Sequence, residues 1–502
     1  MSLGDRAARA TAITLTVQLG RAALQFASTV VLARLLVPDD FGLVAMVTAV
    51  VGIADLVRDF GLSMAVARAR SISHQERTNL FWTNLSVGFL CAVIALACTP
   101  LIVAGYGEPR LTTIVPVFAG LVLVGGFNAQ YRADLVRTMR FKAIGASDLI
   151  AQLVGFVAAV ALAAMGAGLW AIVVQQSIFI VLSTIINVIS VRWWPSWPQR
   201  GVSIRHFLRF GSGVFGTHLI IFLTRNLDNV AIGAFGGPGP LGLYSRAYQL
   251  MLMPLAQINT PMTQVAVPTL ARVHEDRKVL LRYLLKAQRV ACYATVTVFA
   301  VAAGLAEPII DVLFGPQWHG VVPIFVILAI GGVPRAISQI GYWLYLATGQ
   351  SGALFRQRLV TGLLTIALIL AGVPWGVIGV SIGVSVSSLL SWPISVWHAC
   401  RVTGIPAAPL IGNAVRIAGS VGLPCGLLAF AAGRLPIASI WQLLLGFALG
   451  AGYLALAHAV VPAIRRDMDD VWSIARRSVR RGKSGAGPDA GPDEATIDGF
   501  NS

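Results

Sequence analysis

Apolar segments long enough to cross a bilayer recur along this chain at a spacing of about 36 residues. A membrane-crossing helix needs about 20 apolar residues, because the bilayer core holds no water to satisfy open backbone N–H and C=O groups. The segments lie near 12–36, 42–66, 79–104, 112–131, 146–165, 168–190, 208–233, 241–268, 290–306, 320–346, 359–373, 376–399, 408–432 and 438–462, which makes about fourteen spans. Composition agrees: 12% of residues are charged and 56% are hydrophobic, against about 25% and 45–50% in a soluble domain. The expected fold class is an all-α polytopic membrane protein, and a soluble enzyme or a disordered chain is excluded.

The formal net charge is +17. In a soluble protein that excess points to nucleic acid. Here its placement points to topology instead, and no nucleic-acid partner is expected. With a cytoplasmic N-terminus, roughly 30 of the 38 Lys and Arg fall in inner loops and the tail, and Arg34, Arg110 and Arg434 fall outside, a bias of roughly ten to one. Both termini are therefore expected in the cytoplasm. Arg21 interrupts the first apolar stretch, which argues against a cleaved signal peptide.

The chain repeats itself. Pro38-Asp-Asp-Phe-Gly42-Leu43 aligns with Pro238-Gly-Pro-Leu-Gly242-Leu243, and His74-Gln-Glu-Arg77 aligns with His274-Glu-Asp-Arg277. Val115-Pro-Val-Phe118 with Gly125-Gly126 matches Val322-Pro-Ile-Phe325 with Gly331-Gly332. Six spans separate the copies, so both have the same orientation, as in transporters built from parallel repeats. The division expected is a six-helix bundle over 1–200, a second over 201–402, two additional spans over 403–463, and a basic cytoplasmic helix with a disordered tail over 464–502. The two pseudo-symmetric bundles would enclose a V-shaped cleft. The tail helix, with Met468, Val471, Trp472, Ile474 and Val479 as its apolar residues, suits the surface of an anionic leaflet.

Ionisable residues inside spans are costly and usually face a cavity or a partner. The first bundle holds Arg21, Asp55, Arg58 and Asp59, and the second holds Arg225, Asp228, Arg246 and Arg335. Asp55 and Asp59 share one helical face with Arg58 beside them, and Arg225 and Asp228 share another. An internal Arg–carboxylate pair lowers the cost of burying each charge. Asp55, Arg58, Asp59, Asp228 and His218 are therefore candidates for charge pairing or ion coupling. Arg21, Arg225, Arg246 and Arg335 are candidates for an anionic ligand, since the guanidinium fork binds phosphate bidentately and keeps its charge when buried. Tyr244, Tyr248 and Trp343 (with Tyr342 nearby) are candidates for stacking on sugar faces; core packing or an interfacial belt competes with that role. Pro254, Pro261 and Pro268 mark span 8 as a possible bending element.

The five cysteines form no CxxC or Cys/His pattern, so neither a disulfide framework nor a metal site is expected. No nucleotide-binding motif is present, and the longest outer loop is roughly Glu307 to His319. No catalytic residue and no cofactor are expected, and the chain does not read as an enzyme.

Several stretches resemble a known family. They are Leu36-Val-Pro-Asp-Asp-Phe-Gly-Leu43, Asp59-Phe-Gly-Leu62, Tyr106-Gly-Glu-Pro109, Gly168-Leu-Trp-Ala171, Arg225-Asn-Leu-Asp-Asn229, Gly242-Leu-Tyr-Ser-Arg-Ala-Tyr248, Ala306-Glu-Pro308 and Ala347-Thr-Gly-Gln350. Together they resemble the polysaccharide-transport flippases, the Wzx-type branch of the multidrug/oligosaccharidyl-lipid/polysaccharide exporter superfamily. The resemblance runs over about residues 10 to 400. It implies a bacterial inner-membrane flippase that carries an undecaprenyl-diphosphate-linked oligosaccharide to the outer leaflet for exopolysaccharide, capsule or O-antigen assembly. It implies alternating access coupled to an ion gradient, with H+ or Na+ as the ion. Membrane lipids, a polysaccharide polymerase and a chain-length regulator are the implied partners. A cation-coupled multidrug antiporter of the same superfamily, a lipid II flippase and a non-transport scaffold for glycan synthesis are the competing readings. The excess of in-span arginine argues against the antiporter, and the cost of intramembrane charge argues against the scaffold.

Overall fold

The computed structural model describes residues 3–69, 71–199 and 201–469. Among these residues the regular structure is helical throughout. The first series is α1 (Leu3–Leu35), α2 (Pro38–Asp59), α3 (Leu62–Arg68), α4 (His74–Ala97), α5 (Thr99–Tyr106), α6 (Leu111–Arg137), α7 (Phe141–Ala164) and α8 (Leu169–Val191). The second is α9 (Arg205–Gly236), α10 (Pro238–Arg272), α11 (Arg277–Gly304), α12 (Ala306–Leu313), α13 (Val321–Ile337), α14 (Gln339–Ala347), α15 (Ser351–Gly372) and α16 (Gly376–Thr403). Then come α17 (Ala408–Ile417), a π turn over Ala418–Gly422, α18 (Leu423–Gly433) and α19 (Ser439–Val460).

The repeated motifs fall at matching places in the two series. Ser73 caps α4 reciprocally with Glu76, the Glu76 amide donating to Ser73 Oγ at 3.2 Å and the Ser73 amide to Glu76 Oε2 at 2.9 Å. Asp276 caps α11, accepting from the Lys278 and Val279 amides at 2.8 and 3.1 Å. Each capped helix is followed by a short one, α5 or α12, and then by the helix holding the glycine pair. Gly126 brings α6 against Gly88 of α4. Gly331 and Gly332 bring α13 against Ser385 of α16 and Phe299 of α11. Small residues permit such approaches inside a bilayer, where tight backbone packing replaces the hydrophobic drive.

Among the described residues, 11 segments are long and apolar enough to cross a membrane, fewer than the sequence expectation. One of them, Ser351–Thr403, contains both α15 and α16. Helices α1 and α10 fall outside the set. The reason is physical: α1 carries Gln18, Arg21 and Gln25, and α10 carries Arg246, Gln249, Gln257, Asn259 and Gln264. Helices that face an internal polar cavity lose apolarity on that face. Helix α10 continues through Pro254, Pro261 and Pro268 to Arg272. The basic tail expected beyond α19 is helical over residues 462–469, and everything after that lies outside the described residues.

The two series meet chiefly along α2 and α10, with α9 packed on α2 and α3. Gly42 of α2 lies against the Pro238 carbonyl, and Gly242 of α10 against the Pro38 carbonyl. The same motif thus makes the contact from both sides. A single buried core at this end draws Leu32, Phe41 and Met46 together with Leu241, Phe314 and Trp318. A second core joins α11, α14 and α16 to α17, α18 and α19.

Candidate substrate cavity and its charged network

A cavity of about 270 Å³ lies between the two series, beside the α2–α10 contact. Gln25, Ser28 and Thr29 of α1, Phe41 and Thr48 of α2, and Gln175 and Gln176 of α8 line one side; Asn226 and Asn229 of α9 with Arg246 and Gln249 of α10 line the other. Gln249 Nε2 donates to Thr29 Oγ1 at 3.1 Å and joins the series across the cavity. Gln175 Nε2 donates to Ser28 Oγ at 2.7 Å. Among the described residues, the side-chain carbonyl oxygen of each of these amides has no hydrogen-bond partner.

Among the described residues, Arg246 is the one charged residue in this lining. Its guanidinium stands over the Phe41 ring, 4.4 Å from the centroid. Its Nε is buried without a hydrogen-bond partner, and no carboxylate pairs with it among the described residues.

A second cationic group lies on the α9–α10–α13–α15 side. Arg335 Nη1 donates to Tyr248 Oη at 3.1 Å, and Tyr248 stacks on Tyr244 at 5.6 Å. Tyr244 Oη donates to Asp228 Oδ2 at 2.6 Å. Arg358 of α15 stands over the Tyr342 ring at 5.9 Å, on the same side as Arg225 and Arg335. Asp228 reaches this group only through Tyr244, which stacks on Tyr248, the partner of Arg335; among the described residues it forms no ion pair with Arg225, Arg335 or Arg358. The carboxylate is 3% exposed, so it serves the interior of the network.

Several of the candidate residues lie away from this lining. Arg225 and Asp228 form no ion pair among the described residues: Asp228 turns onto Tyr244 and leaves Arg225 exposed. Tyr244 and Trp343 are both 0% exposed, and neither lines the cavity. Trp343 Nε1 instead donates to Thr263 Oγ1 at 2.8 Å. His218 is exposed on α9 and also lies away from the cavity.

In the first series, Arg58 does pair with Asp55, at 3.4 Å. Its guanidinium also fills the space left by the missing side chain of Gly125. Asp59 accepts a hydrogen bond from Ser63. Arg21 of α1 pairs with Asp148 of α7 at 2.7 Å, and Arg132 of α6 holds the same carboxylate with two bonds of 2.8 and 3.0 Å. Sequence reasoning missed Asp148, Arg132 and Arg358. An ion pair spanning 127 residues leaves no spacing signal.

The α1–α2 end of the interface is held shut by directional bonds. Trp318 Nε1 donates to the Ala33 carbonyl at 2.6 Å, and Gln317 Nε2 donates to the Ala33 and Arg34 carbonyls at 3.3 Å. Arg34 donates to the Leu313 carbonyl at 3.2 Å and to the Val312 carbonyl, at the end of α12. Phe41 meets the Trp318 ring edge-on at 5.4 Å. The cavity therefore lies behind a closed end.

The family model described as "Polysaccharide biosynthesis protein" matches residues 31–323, more than half of the chain. The chain belongs to this family. Lipopolysaccharide biosynthesis protein WzxC of Escherichia coli is 23% identical over 401 residues, covering 77% of this chain and 78% of WzxC. Succinoglycan biosynthesis transport protein ExoT of Rhizobium meliloti is 26% identical over 357 residues, covering 70% of this chain and 72% of ExoT. Among solved structures, the lipid II flippase MurJ in an inward closed conformation superposes with a TM-score of 0.71 at 13% identity, covering 89% of this chain and 98% of MurJ. That likeness shows that the chain shares MurJ's multi-pass helical fold.

Proposed function

We propose that this chain moves a polyprenyl-diphosphate-linked oligosaccharide from the inner to the outer leaflet of the bacterial inner membrane by alternating access, for assembly of exopolysaccharide, capsule or O-antigen. The observation that carries this reading is the cavity between the two helix series. Its amides and hydroxyls suit sugar hydroxyls, and its arginine has no carboxylate partner among the described residues. The relatives named for polysaccharide biosynthesis and transport support it. A cationic drug would be repelled by Arg246, so an antiporter of cations fits less well.

In this reading the carrier is undecaprenyl diphosphate, and Arg225, Arg335 and Arg358 supply the charge that its phosphates need. Residues 1–200 and 201–402 act as the two moving bundles, with 403–463 as two additional spans. The charge asymmetry of the loops supports about fourteen crossings with both termini cytoplasmic. H+ or Na+ supplies the driving gradient, and a polymerase and chain-length regulator receive the product.

The test is mass spectrometry of lipid-linked glycans in cells lacking the gene, with surface polysaccharide measured in parallel. A diphosphate-linked oligosaccharide should accumulate while surface polymer falls. Unchanged glycans together with new sensitivity to a cationic toxin would establish the antiporter instead.

A further inference from the structure

The cavity holding Arg246 differs in chemistry from the Arg225–Arg335–Arg358 group. Its lining is dominated by uncharged polar side chains: four glutamines, two asparagines, Ser28, Thr29 and Thr48. At about 270 Å³ it falls near the lower bound of small-molecule sites. That volume suits one sugar ring and its substituents, and excludes a whole carrier-linked repeat unit. Amides on opposing walls offer both donors and acceptors, which is what a ring of hydroxyls requires.

Arg246 is the exception in this lining. A buried guanidinium is retained against a large desolvation cost, and lone charges in such places are normally paired. Here its Nε is buried and unbonded, and the only described partner is the Phe41 ring. The other in-span arginines named above have oxygen partners or exposure: Arg21 and Arg132 have Asp148, Arg58 has Asp55, Arg335 has Tyr248, and Arg225 and Arg358 are exposed. Among the described residues, Arg246 alone combines a buried donor, no anion and an adjacent space lined for hydroxyls.

We infer that this cavity is a monosaccharide subsite selective for an acidic sugar, whose carboxylate pairs with Arg246 while its hydroxyls bond the surrounding amides. The inference rests on the flippase reading and adds to it the substrate class: the repeat unit carries a uronic acid or another carboxylated sugar. The phosphates of the carrier are the other source of negative charge, and they belong to the Arg225–Arg335–Arg358 group.

The experiment measures binding to the purified full chain in detergent by ligand-dependent thermal shift. The probes are a disaccharide containing glucuronic acid, its neutral glucose counterpart and inorganic pyrophosphate, and the proteins are the parent chain, Arg246→Gln, Arg246→Lys and Arg358→Gln. The acidic disaccharide should bind the parent chain and weaken roughly tenfold or more in Arg246→Gln, the scale of a charged hydrogen-bonded contact. Arg246→Lys, which keeps the charge without the fork, should fall between them and control for folding. The neutral disaccharide should bind weakly to all, and pyrophosphate should weaken in Arg358→Gln alone. Pyrophosphate binding lost in Arg246→Gln, with the acidic disaccharide indifferent, would overturn the inference and make the cavity the diphosphate site. Equal binding of acidic and neutral sugar in every protein would overturn it too. Failure of the flippase reading is separable: lipid-linked glycans would not accumulate on gene loss, while the Arg246-dependent sugar binding would persist.

Discussion

The α-carbon of Gly42 lies directly against the carbonyl of Pro238, and a side chain at position 42 would collide with that oxygen. Its counterpart, Gly242 against Pro38, makes the same approach from the other series. Two copies of one motif thus form a paired backbone contact that closes one end of the interface.

Gly42→Ala should therefore wedge α2 from α10. Overpacking of this kind costs about 1–3 kcal/mol. In a cysteine-free background, a cross-link between cysteines placed at Asp39 and Gly239 should form readily in the parent and fall severalfold when Gly42→Ala is added. An unchanged yield would show that the contact opens freely and carries no closing function.

Trp318 ties the α12–α13 turn to α1 through the Ala33 carbonyl. Trp318→Phe keeps most of the buried ring and leaves that carbonyl without its donor. A loss of about 1–2 kcal/mol is expected, read as a lower Tm. Trp318→Ala should cost about 3–5 kcal/mol.

Asp148 is 0% exposed and holds both Arg21 and Arg132. Asp148→Asn leaves two guanidinium groups without a carboxylate. Their side chains are 40% and 43% exposed, so water shares the load and the loss should be about 2 kcal/mol, below that of a fully buried pair. Arg21→Gln and Asp148→Asn should be strongly non-additive in a double-mutant cycle measured by Tm. Additivity would mean that the pair carries no coupling.

Tyr244 is the hydroxyl donor to the buried Asp228. Tyr244→Phe removes it and should cost about 1–3 kcal/mol. Export should fall with it, because Tyr244 stacks on Tyr248, which in turn holds Arg335. Full export at normal protein level in Tyr244→Phe would separate this network from transport.

Much of the architecture is legible in the sequence, and for physical reasons. The apolar segments report helices because a bilayer imposes their length. The repeat reports itself because Gly42 and Gly242 must both lack a side chain where the series touch. The site is less legible. Arg246 stands out as a charge in an apolar stretch, but Gln25, Gln175, Asn226 and Gln249 carry no charge or period that marks a cavity. Pairings across helices are also silent: Asp148 meets Arg21 only through the packing of α1 on α7. The spacing of Arg225 and Asp228 suggests a pair, yet Tyr244 lies closer to Asp228 and takes the bond.

The central claim is tested most directly in cells lacking the gene and supplied with the parent chain, Arg225→Ala or Arg246→Ala. Lipid-linked glycans are measured by mass spectrometry, and the amount of each protein in the membrane is measured alongside. Both variants should reach normal membrane levels yet accumulate the diphosphate-linked oligosaccharide and lose surface polymer, as in cells without the gene. If both sustain full export at those levels, the cationic route through this interface is wrong.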